Sequence, residues 1–220
     1  MKRVVCVGAH PLDAELMGGP LLIKYAKTGA RCTYVHVVQG RLDEDSTQEE
    51  KSEYKVRLSN EIREVALSLG GDSFCFEYDS TNMPSNEEFI KTLVKYFISE
   101  AVELVVTHHS GTLHPRHYYT HYCTTEAVRR CRELGHPIQL LYGENCEDLI
   151  GFIPQAYYEL SEEEVKIWFA SLNKYTIFRG LVNEVPYLNY YTTMGKIRAM
   201  EAGTQKFMKA YMYASLIEKI

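Results

Sequence analysis

The sequence predicts an α/β protein, a three-layer sandwich in which helices cover both faces of a mostly parallel sheet. Short runs of apolar, β-branched residues such as RVVCVG at residues 3–8 lack the alternation of a half-exposed strand and are typical of strands buried on both faces. These runs alternate along the chain with longer segments of helical spacing. That β-α-β-α rhythm favours parallel strands joined by crossover helices.

The individual elements are predicted from these runs and from the spacing between them. Strands are predicted over residues 3–8, 31–40, 73–78, 102–108 and 137–144. Apolar residues at helical spacing predict helices from Pro20 to near Gly29 and over residues 56–69, 87–100 and 117–134. The segment 41–55 carries six acidic and three basic residues, and a mobile loop that runs into a helix is expected there.

The pattern changes after residue 150. FIPQAYYELS at residues 152–161 is predicted to be extended, and Ser161 with Glu164 forms a capping-box signature for a further helix. A last helix is predicted from about Gly195 to the end of the chain. We therefore expect a single domain over residues 1–220, with a C-terminal elaboration from about residue 150.

Composition excludes several classes of protein. The formal net charge of the 220 residues is −5, which disfavours a nucleic-acid-binding protein. No apolar run approaches the roughly 18 residues that span a bilayer, and the N-terminal residues enter a strand pattern directly. The six cysteines contain no C-x-x-C pair and are expected to be reduced. These features predict a cytoplasmic protein.

Imidazoles and carboxylates follow two of the predicted strands. His10, Asp13 and Glu15 come directly after the first strand, and five of the eight histidines lie between His108 and His121, after the fourth. In an open parallel sheet, ligands bind beyond the carboxyl ends of the strands, where the strand order reverses. The two clusters are therefore expected to meet at one edge of the sheet.

A divalent metal explains such a meeting. Neutral imidazole and carboxylate suit zinc, and a catalytic zinc keeps three protein ligands and one open position. His10 and Asp13 can converge on one ion, and the third ligand would come from the loop after the fourth strand. That loop offers His114 and His117, three residues apart, and His117 and His121, four residues apart on one helical face.

At these residues the sequence resembles a known family. VVCVGAHPLDAELMGGP, residues 4–20, resembles the A-H-P-D-D-x-E-x-x-x-G-G signature of the LmbE-like (PIG-L) family of zinc-dependent N-acetylglucosamine deacetylases. THHSGTLHPRH, residues 107–117, is similar to the family's strand end followed by H-P-D-H, and RLSNEIREVALSLGGD, residues 57–72, is similar to its R-x-x-E helix. The resemblance covers most of the chain and fades after residue 180.

The resemblance implies a Rossmann-like fold and a metal-dependent hydrolase. Zn²⁺, or another divalent metal, would be held by His10, Asp13 and His117, and His114 would stabilise the oxyanion or protonate the leaving amine. A water activated by the metal would attack the N-acyl (acetamide) carbonyl of a small, sugar-like substrate. A different register remains open, in which His121 is the ligand and Tyr118 takes the place of His114.

Position 12 departs from the family pattern. Leu12 stands where the family has the aspartate that accepts the proton of the attacking water, and losing a positioned base typically costs 10²- to 10⁴-fold in rate. Glu15 is the nearest substitute base, and the acidic residues 43–45 are further candidates. Arg116 replaces the aspartate of H-P-D-H, which removes a carboxylate that would support the histidines and suits an anionic substrate group.

The departure at position 12 keeps three interpretations open. The protein is a working hydrolase with a substitute base, a catalytically impaired relative that still binds a metal or a sugar-like ligand, or a scaffold protein without a metal. Specificity is expected from residues 41–55 and 187–192. The Tyr- and Met-rich C-terminal region is a candidate interface for a homo-oligomer.

Overall fold

The computed structural model describes residues 2–42 and 45–214, and the strands of these residues form one seven-stranded sheet. Its order is β3-β2-β1-β4-β5-β7-β6. The strands are β1 (Arg3–Gly8), β2 (Arg31–Val38), β3 (Asp72–Tyr78), β4 (Leu104–Thr107), β5 (Gln139–Gly143), β6 (Ala156–Glu159) and β7 (Met208–Tyr213).

The predicted α/β fold with a mostly parallel sheet is confirmed. All pairings among β1 to β5 are parallel, whereas β7 pairs antiparallel with both β5 and β6. The strand order reverses between β1 and β4, which are direct neighbours. The segments that follow β1 and β4 therefore start side by side, at the place where sheets of this kind bind their ligands.

Helices cover both faces of the sheet. They are α1 (Asp13–Lys27), α2 (Gln48–Ser68), α3 (Asn86–Ser99), α4 (Pro115–Glu133), α5 (Glu162–Leu172) and α6 (Tyr187–Glu201). Successive side chains of β1 point to opposite faces. Cys6 accordingly packs into a core with α1, α2 and α5, and Val7 packs into a second core with α3 and α4.

Two predicted boundaries on the N-terminal side are wrong. The first helix begins at Asp13 rather than Pro20, because Pro20 lies inside α1 and the preceding turn already starts the helix. The second helix begins at Gln48, within the segment predicted as a loop, since Thr47 and Glu50 form a reciprocal capping box. A polar first turn with a good cap was mistaken for a loop.

The predicted C-terminal helix is also wrong. Helix α6 starts at Tyr187, ends at Glu201 and is followed by Gly203 with φ 68°, a left-handed conformation that suits glycine. The chain then returns as β7, which inserts between β5 and β6. MKAYMY contains good helix formers, but burial between two strands decides its conformation.

The residues after 150 support the first helix from the outside. The Trp168 indole on α5 is fully buried and donates its Nε1–H to the Glu15 carbonyl at 3.0 Å. The same ring lies against Gly19, where an added Cβ would come within 2.7 Å of Nε1. The Tyr211 hydroxyl on β7 donates to the Met17 carbonyl at 3.0 Å. The start of α1 is thereby fixed from two C-terminal elements.

Within the described residues, no helix is long and apolar enough to cross a bilayer.

Trp168→Phe is expected to lower the free energy of unfolding by about 2–4 kcal/mol. The substitution removes the buried indole N–H that donates to the Glu15 carbonyl and opens space beside Gly19. Urea unfolding followed by far-UV circular dichroism measures the change. Leu67→Ala, at a position 61% exposed on α2, is the control and should change stability by less than about 0.5 kcal/mol. Equal small effects of both substitutions would contradict this account of the α5–α1 contact.

Candidate metal centre

The turn between β1 and α1 holds His10 and Asp13, the first two residues of a cluster that also contains His114 and His117. The His10 backbone N–H donates to Asp13 Oδ2 at 2.8 Å, and this bond closes the turn. Leu12 precedes the helix with φ 89°, in the left-handed region that non-glycine residues seldom adopt. The tight turn places the side chains of His10 and Asp13 on the same side, with His10 Nδ1 3.1 Å from Asp13 Oδ2.

The start of α4 supplies the next two residues. His114 is the N-cap residue of α4 and Pro115 occupies the first turn, where a missing N–H costs nothing. His117 lies one turn further on, and the two imidazole rings are 4.4 Å apart between centroids. Nδ1 of His114 is buried without a hydrogen-bond partner among the described residues.

The two segments meet at one carboxylate oxygen. Asp13 Oδ2 lies 3.1 Å from His10 Nδ1 and 3.3 Å from His117 Nε2. Ligand atoms about 2.0–2.1 Å from a tetrahedral zinc are separated by roughly 3.3 Å. His10, His114 and His117 also have ligand atoms within 4.8 Å of one another, as do Asp13, His108 and His117.

Asp148 orients two of these histidines. Its buried carboxylate accepts from His108 Nδ1 at 2.6 Å and from His117 Nδ1 at 2.9 Å. The bond from Nδ1 turns the Nε2 lone pair of His117 towards Asp13 and His10, as expected of a metal-ligating histidine. His108 differs, because its Nε2 accepts the Ala9 backbone N–H at 2.9 Å. Both nitrogens of His108 are thus engaged, and it acts as a support.

The charges of the cluster favour a cation. Burial alone would raise the pKa of the Asp13 carboxyl, but His117 and His10 hold it well below its usual range. Burial opposes protonation of His117, yet Asp13 and Asp148 raise the pKa of its imidazole to about 10. Burial and the neighbouring imidazoles lower the pKa of His114 to about 4. The carboxylates of Asp13 and Asp148 therefore stabilise a positive charge, a proton or a metal ion, beside the His117 ring.

The donor set fits a divalent metal. Three imidazoles and one carboxylate suit zinc and similar ions, and the His114 ring, whose Nδ1 has no hydrogen-bond partner among the described residues, packs against His117. His10, Asp13 and His117 would hold the ion, with a carboxylate behind His117 as support. Residues for both roles come from the ends of three neighbouring parallel strands, β1, β4 and β5.

A cleft of about 270 Å³ opens over the cluster. Its polar lining includes His10, Asp13, His114, Asn145 and Glu147. Its apolar lining includes Pro11, Leu12, Leu16, Ile177, Val185 and Tyr187. A ligand in the cleft therefore meets both candidate metal ligands and hydrocarbon.

The family model described as GlcNAc-PI de-N-acetylase, PIG-L, matches residues 5–128. The chain belongs to the PIG-L family. The match includes both histidine motifs, in agreement with the resemblance found in the sequence. None of the curated proteins with which the sequence was compared matches it.

Solved structures share the fold over the whole chain. GalB, a 4-carboxy-2-hydroxymuconate hydratase from Pseudomonas putida, is 15% identical with a TM-score of 0.79, and each chain covers 100% of the other. A conserved protein from Thermus thermophilus is 17% identical with a TM-score of 0.77, and the match covers 100% of this chain and 98% of the Thermus protein. N,N'-diacetylchitobiose deacetylase from Pyrococcus horikoshii is 19% identical with a TM-score of 0.72, and the match covers 97% of this chain and 84% of the deacetylase. These likenesses support the PIG-L fold.

The structure brings four of the five predicted site residues of this PIG-L chain together: His10, Asp13, His114 and His117. Glu15, the fifth, points away from the cleft. Its carboxylate is fully buried, lies 3.0 Å from His36 Nε2 and accepts from the Tyr175 hydroxyl at 3.0 Å.

The remaining sequence candidates lie outside the cluster. His121 Nδ1 donates to the His108 carbonyl at 2.9 Å, and its ring packs on Tyr142. Arg116 donates to the Ser80 carbonyl, so its guanidinium holds a neighbouring loop. Asp45 is not among the residues that line the cleft. Asp43 and Glu44 lie outside the described residues.

Sequence reasoning missed the loop after β5, which carries Asn145, Glu147 and Asp148. Asn145 Nδ2 donates to Asp13 Oδ1 at 3.2 Å, and Glu147 Oε2 lies 3.7 Å from His117 Nε2. Asp148 supplies the supporting carboxylate that Arg116 removes from the family motif. The available signal was position, because this loop also follows a parallel strand of the same sheet.

Asp148→Asn is expected to weaken Zn²⁺ binding about 10- to 100-fold. His108 and His117 bond to different oxygens of Asp148, and the amide replaces one of those oxygens with an NH2 group that cannot accept. Competition with a chromophoric chelator measures the affinity. Asp72→Asn makes the same change at an exposed side chain of β3, remote from the carboxyl edge of the sheet, and should leave the affinity unchanged. Equal affinities of the two variants would refute the supporting role of Asp148.

Proposed function

We propose that the protein is a metal-dependent hydrolase that cleaves the N-acyl bond of a small, sugar-like substrate. One observation carries the proposal: at the switch between β1 and β4, Asp13 Oδ2 lies 3.1 Å from His10 Nδ1 and 3.3 Å from His117 Nε2, and an open cleft is lined by His10 and Asp13. Membership of the PIG-L family supports the same chemistry.

In the proposed mechanism, His10, Asp13 and His117 bind a divalent metal, with Zn²⁺ as the expected ion. The metal would acidify water and polarise the acyl carbonyl, which places a hydroxide nucleophile in reach at neutral pH. Asp148 keeps the His117 ring fixed through its bond to Nδ1 at 2.9 Å. Asn145 restrains Asp13 through Oδ1 at 3.2 Å and leaves Oδ2 to the cluster.

His114 is proposed to bind the acyl oxygen as negative charge develops on it. Its ring packs edge-on to His10 with centroids 4.8 Å apart, and it lines the cleft beside the cluster. An imidazole N–H placed there before the reaction donates to the oxyanion without reorganisation, which is the usual source of a large rate effect.

Glu15 is proposed to position the helix rather than to transfer a proton. Its bonds to His36 and Tyr175 fix the first turn of α1 from below. Its carboxylate is fully buried and is not among the residues that line the cleft, so it does not reach a substrate bound there.

The lining of the cleft favours a substrate that is neutral near the reacting bond. Its described residues include the carboxylates Asp13 and Glu147 and neither lysine nor arginine. A hydratase of a carboxylated substrate, as the name of GalB states for that protein, would need cationic groups to bind the extra carboxylates. An acetamide group and sugar hydroxyls are uncharged and need no cationic partner.

The assignment of His117 is tested against His121, four residues further along α4. His117→Gln is expected to weaken Zn²⁺ binding by more than the 10- to 100-fold typical of a lost supporting group. His121→Gln should bind Zn²⁺ as the parent does, because the His121 ring bonds the His108 backbone carbonyl and contacts none of His10, Asp13 and His117. Isothermal titration calorimetry with Zn²⁺ measures the affinity of each variant. Weaker binding in His121→Gln than in His117→Gln would mean that His121 is the metal ligand.

Activity is tested on a panel of N-acetylglucosamine derivatives, with release of acetate as the readout. We expect slow hydrolysis that stops with a chelator, returns with Zn²⁺ and is absent in His117→Gln. If the parent binds Zn²⁺ and hydrolyses nothing on the panel while Leu12→Asp gains activity, the protein is instead a relative that has lost the chemistry of the family. Without any binding of Zn²⁺, the metal-dependent proposal fails altogether.

A further inference from the structure

The cleft contains one carboxylate that the metal cluster leaves free. Among its described lining residues the acidic side chains are Asp13 and Glu147. Asp13 is bound to His10 and Asn145 and lies in contact with His117. The Glu147 side chain is 55% exposed, and its Oε2 lies 3.7 Å from His117 Nε2. It therefore reaches the candidate metal position from the solvent side.

The backbone of this loop is held by hydrogen bonds, and the exposed Glu147 side chain projects from it. The Glu147 N–H donates to Asn145 Oδ1 at 3.3 Å, and the Asp148 N–H donates to the Asn145 carbonyl at 3.0 Å. Asn145 and Asp148 also bind Asp13 and His117. Glu147 thus projects from a loop whose two flanking side chains hold the site together.

We propose that Glu147 accepts the proton of the attacking water, in place of the carboxylate that Leu12 removes from the family motif. This inference rests on the proposed hydrolase function. The cleft position of Glu147, its exposure and its distance from His117 carry the assignment. Glu15, the other acid near the motif, is fully buried and engaged by His36 and Tyr175.

The reaction balances with these groups. Glu147 Oε2 takes one proton from water as the oxygen bonds to the acyl carbon. The C–N bond then breaks, and the leaving nitrogen takes that proton from the Glu147 carboxyl group. The products are the free amine and the carboxylic acid, and the acid then releases its own proton, which the amine takes up at neutral pH. Glu147 ends the cycle ionised, as it began.

Glu147→Gln is expected to lower kcat for deacetylation by 10²- to 10⁴-fold, as for other positioned bases. The amide cannot accept the proton, whereas it keeps the size of the side chain. Zn²⁺ affinity should remain within about threefold of the parent, because the proposal gives Glu147 no ligand role. Leu12→Asp in the Glu147→Gln background should restore part of the lost rate by returning a carboxylate to the cleft.

Acetohydroxamate provides a readout that needs no turnover. A hydroxamate binds a metal as its anion, and a nearby carboxylate accepts the proton it gives up. Glu147→Gln should therefore bind acetohydroxamate about 10- to 100-fold more weakly in the Zn²⁺-loaded protein, as for a lost charge-assisted hydrogen bond. Glu159→Gln, in which a glutamate paired with Lys206 on β6 is changed, is the matched control and should bind as the parent does.

The outcomes separate this inference from the proposed function. Unchanged acetohydroxamate affinity in Glu147→Gln overturns the assignment, whether or not the parent is active. Loss of Zn²⁺ in the same variant makes Glu147 a ligand and also overturns it. A third outcome is possible, in which Glu147→Gln binds acetohydroxamate more weakly while the parent hydrolyses nothing on the panel. That outcome supports the proton-accepting position of Glu147 and rejects the deacetylase function.

Discussion

The carboxylate of Asp148 is the interaction on which the site depends. It is fully buried, and it survives as an anion because two imidazole donors compensate the loss of water. The two histidines belong to different elements, since His108 follows β4 and His117 lies on α4. One side chain after β5 therefore joins three segments and fixes which nitrogen of His117 faces the cluster. Removing either histidine would leave the buried charge with only one of its two imidazole donors.

A second buried polar group, the Glu15 carboxylate, stabilises the first turn of α1. Glu15 holds His36 of β2 and Tyr175, while its backbone carbonyl accepts from Trp168. The first turn of α1 is thus tied to a strand beneath it and to the residues after 150. These contacts hold the turn at Leu12 in place. Unusual backbone conformations persist where the surrounding structure fixes them in this way. The C-terminal elaboration therefore helps to shape the site, although it supplies no candidate metal ligand within the described residues.

Sequence reasoning located the fold and most of the cluster because both leave local signals. Buried parallel strands produce apolar runs, and ligands collected at strand ends produce dense histidine motifs. Asp148 and Glu147 have no such signal, since an acid in a loop after β5 looks like any solvated acid until the sheet places it. Glu15 lies within the motif and still points away, because the helix already starts at Asp13 and residues two apart on a helix lie about 200° apart around its axis. The sequence prediction started this helix at Pro20 and therefore did not separate the two acids. The strand β7 was mistaken for a helix since its burial is a tertiary property.

Leu12 also changes the medium in which the charges interact. Its side chain belongs both to the core and to the wall of the cleft. Hydrocarbon at that place keeps water from one flank of His10 and Asp13, and a lower local dielectric strengthens every attraction and repulsion among nearby ions. The same leucine that removes a proton acceptor therefore makes the remaining groups more sensitive to one another. A ligand that seats a methyl group against this wall would exclude solvent there and complete the enclosure.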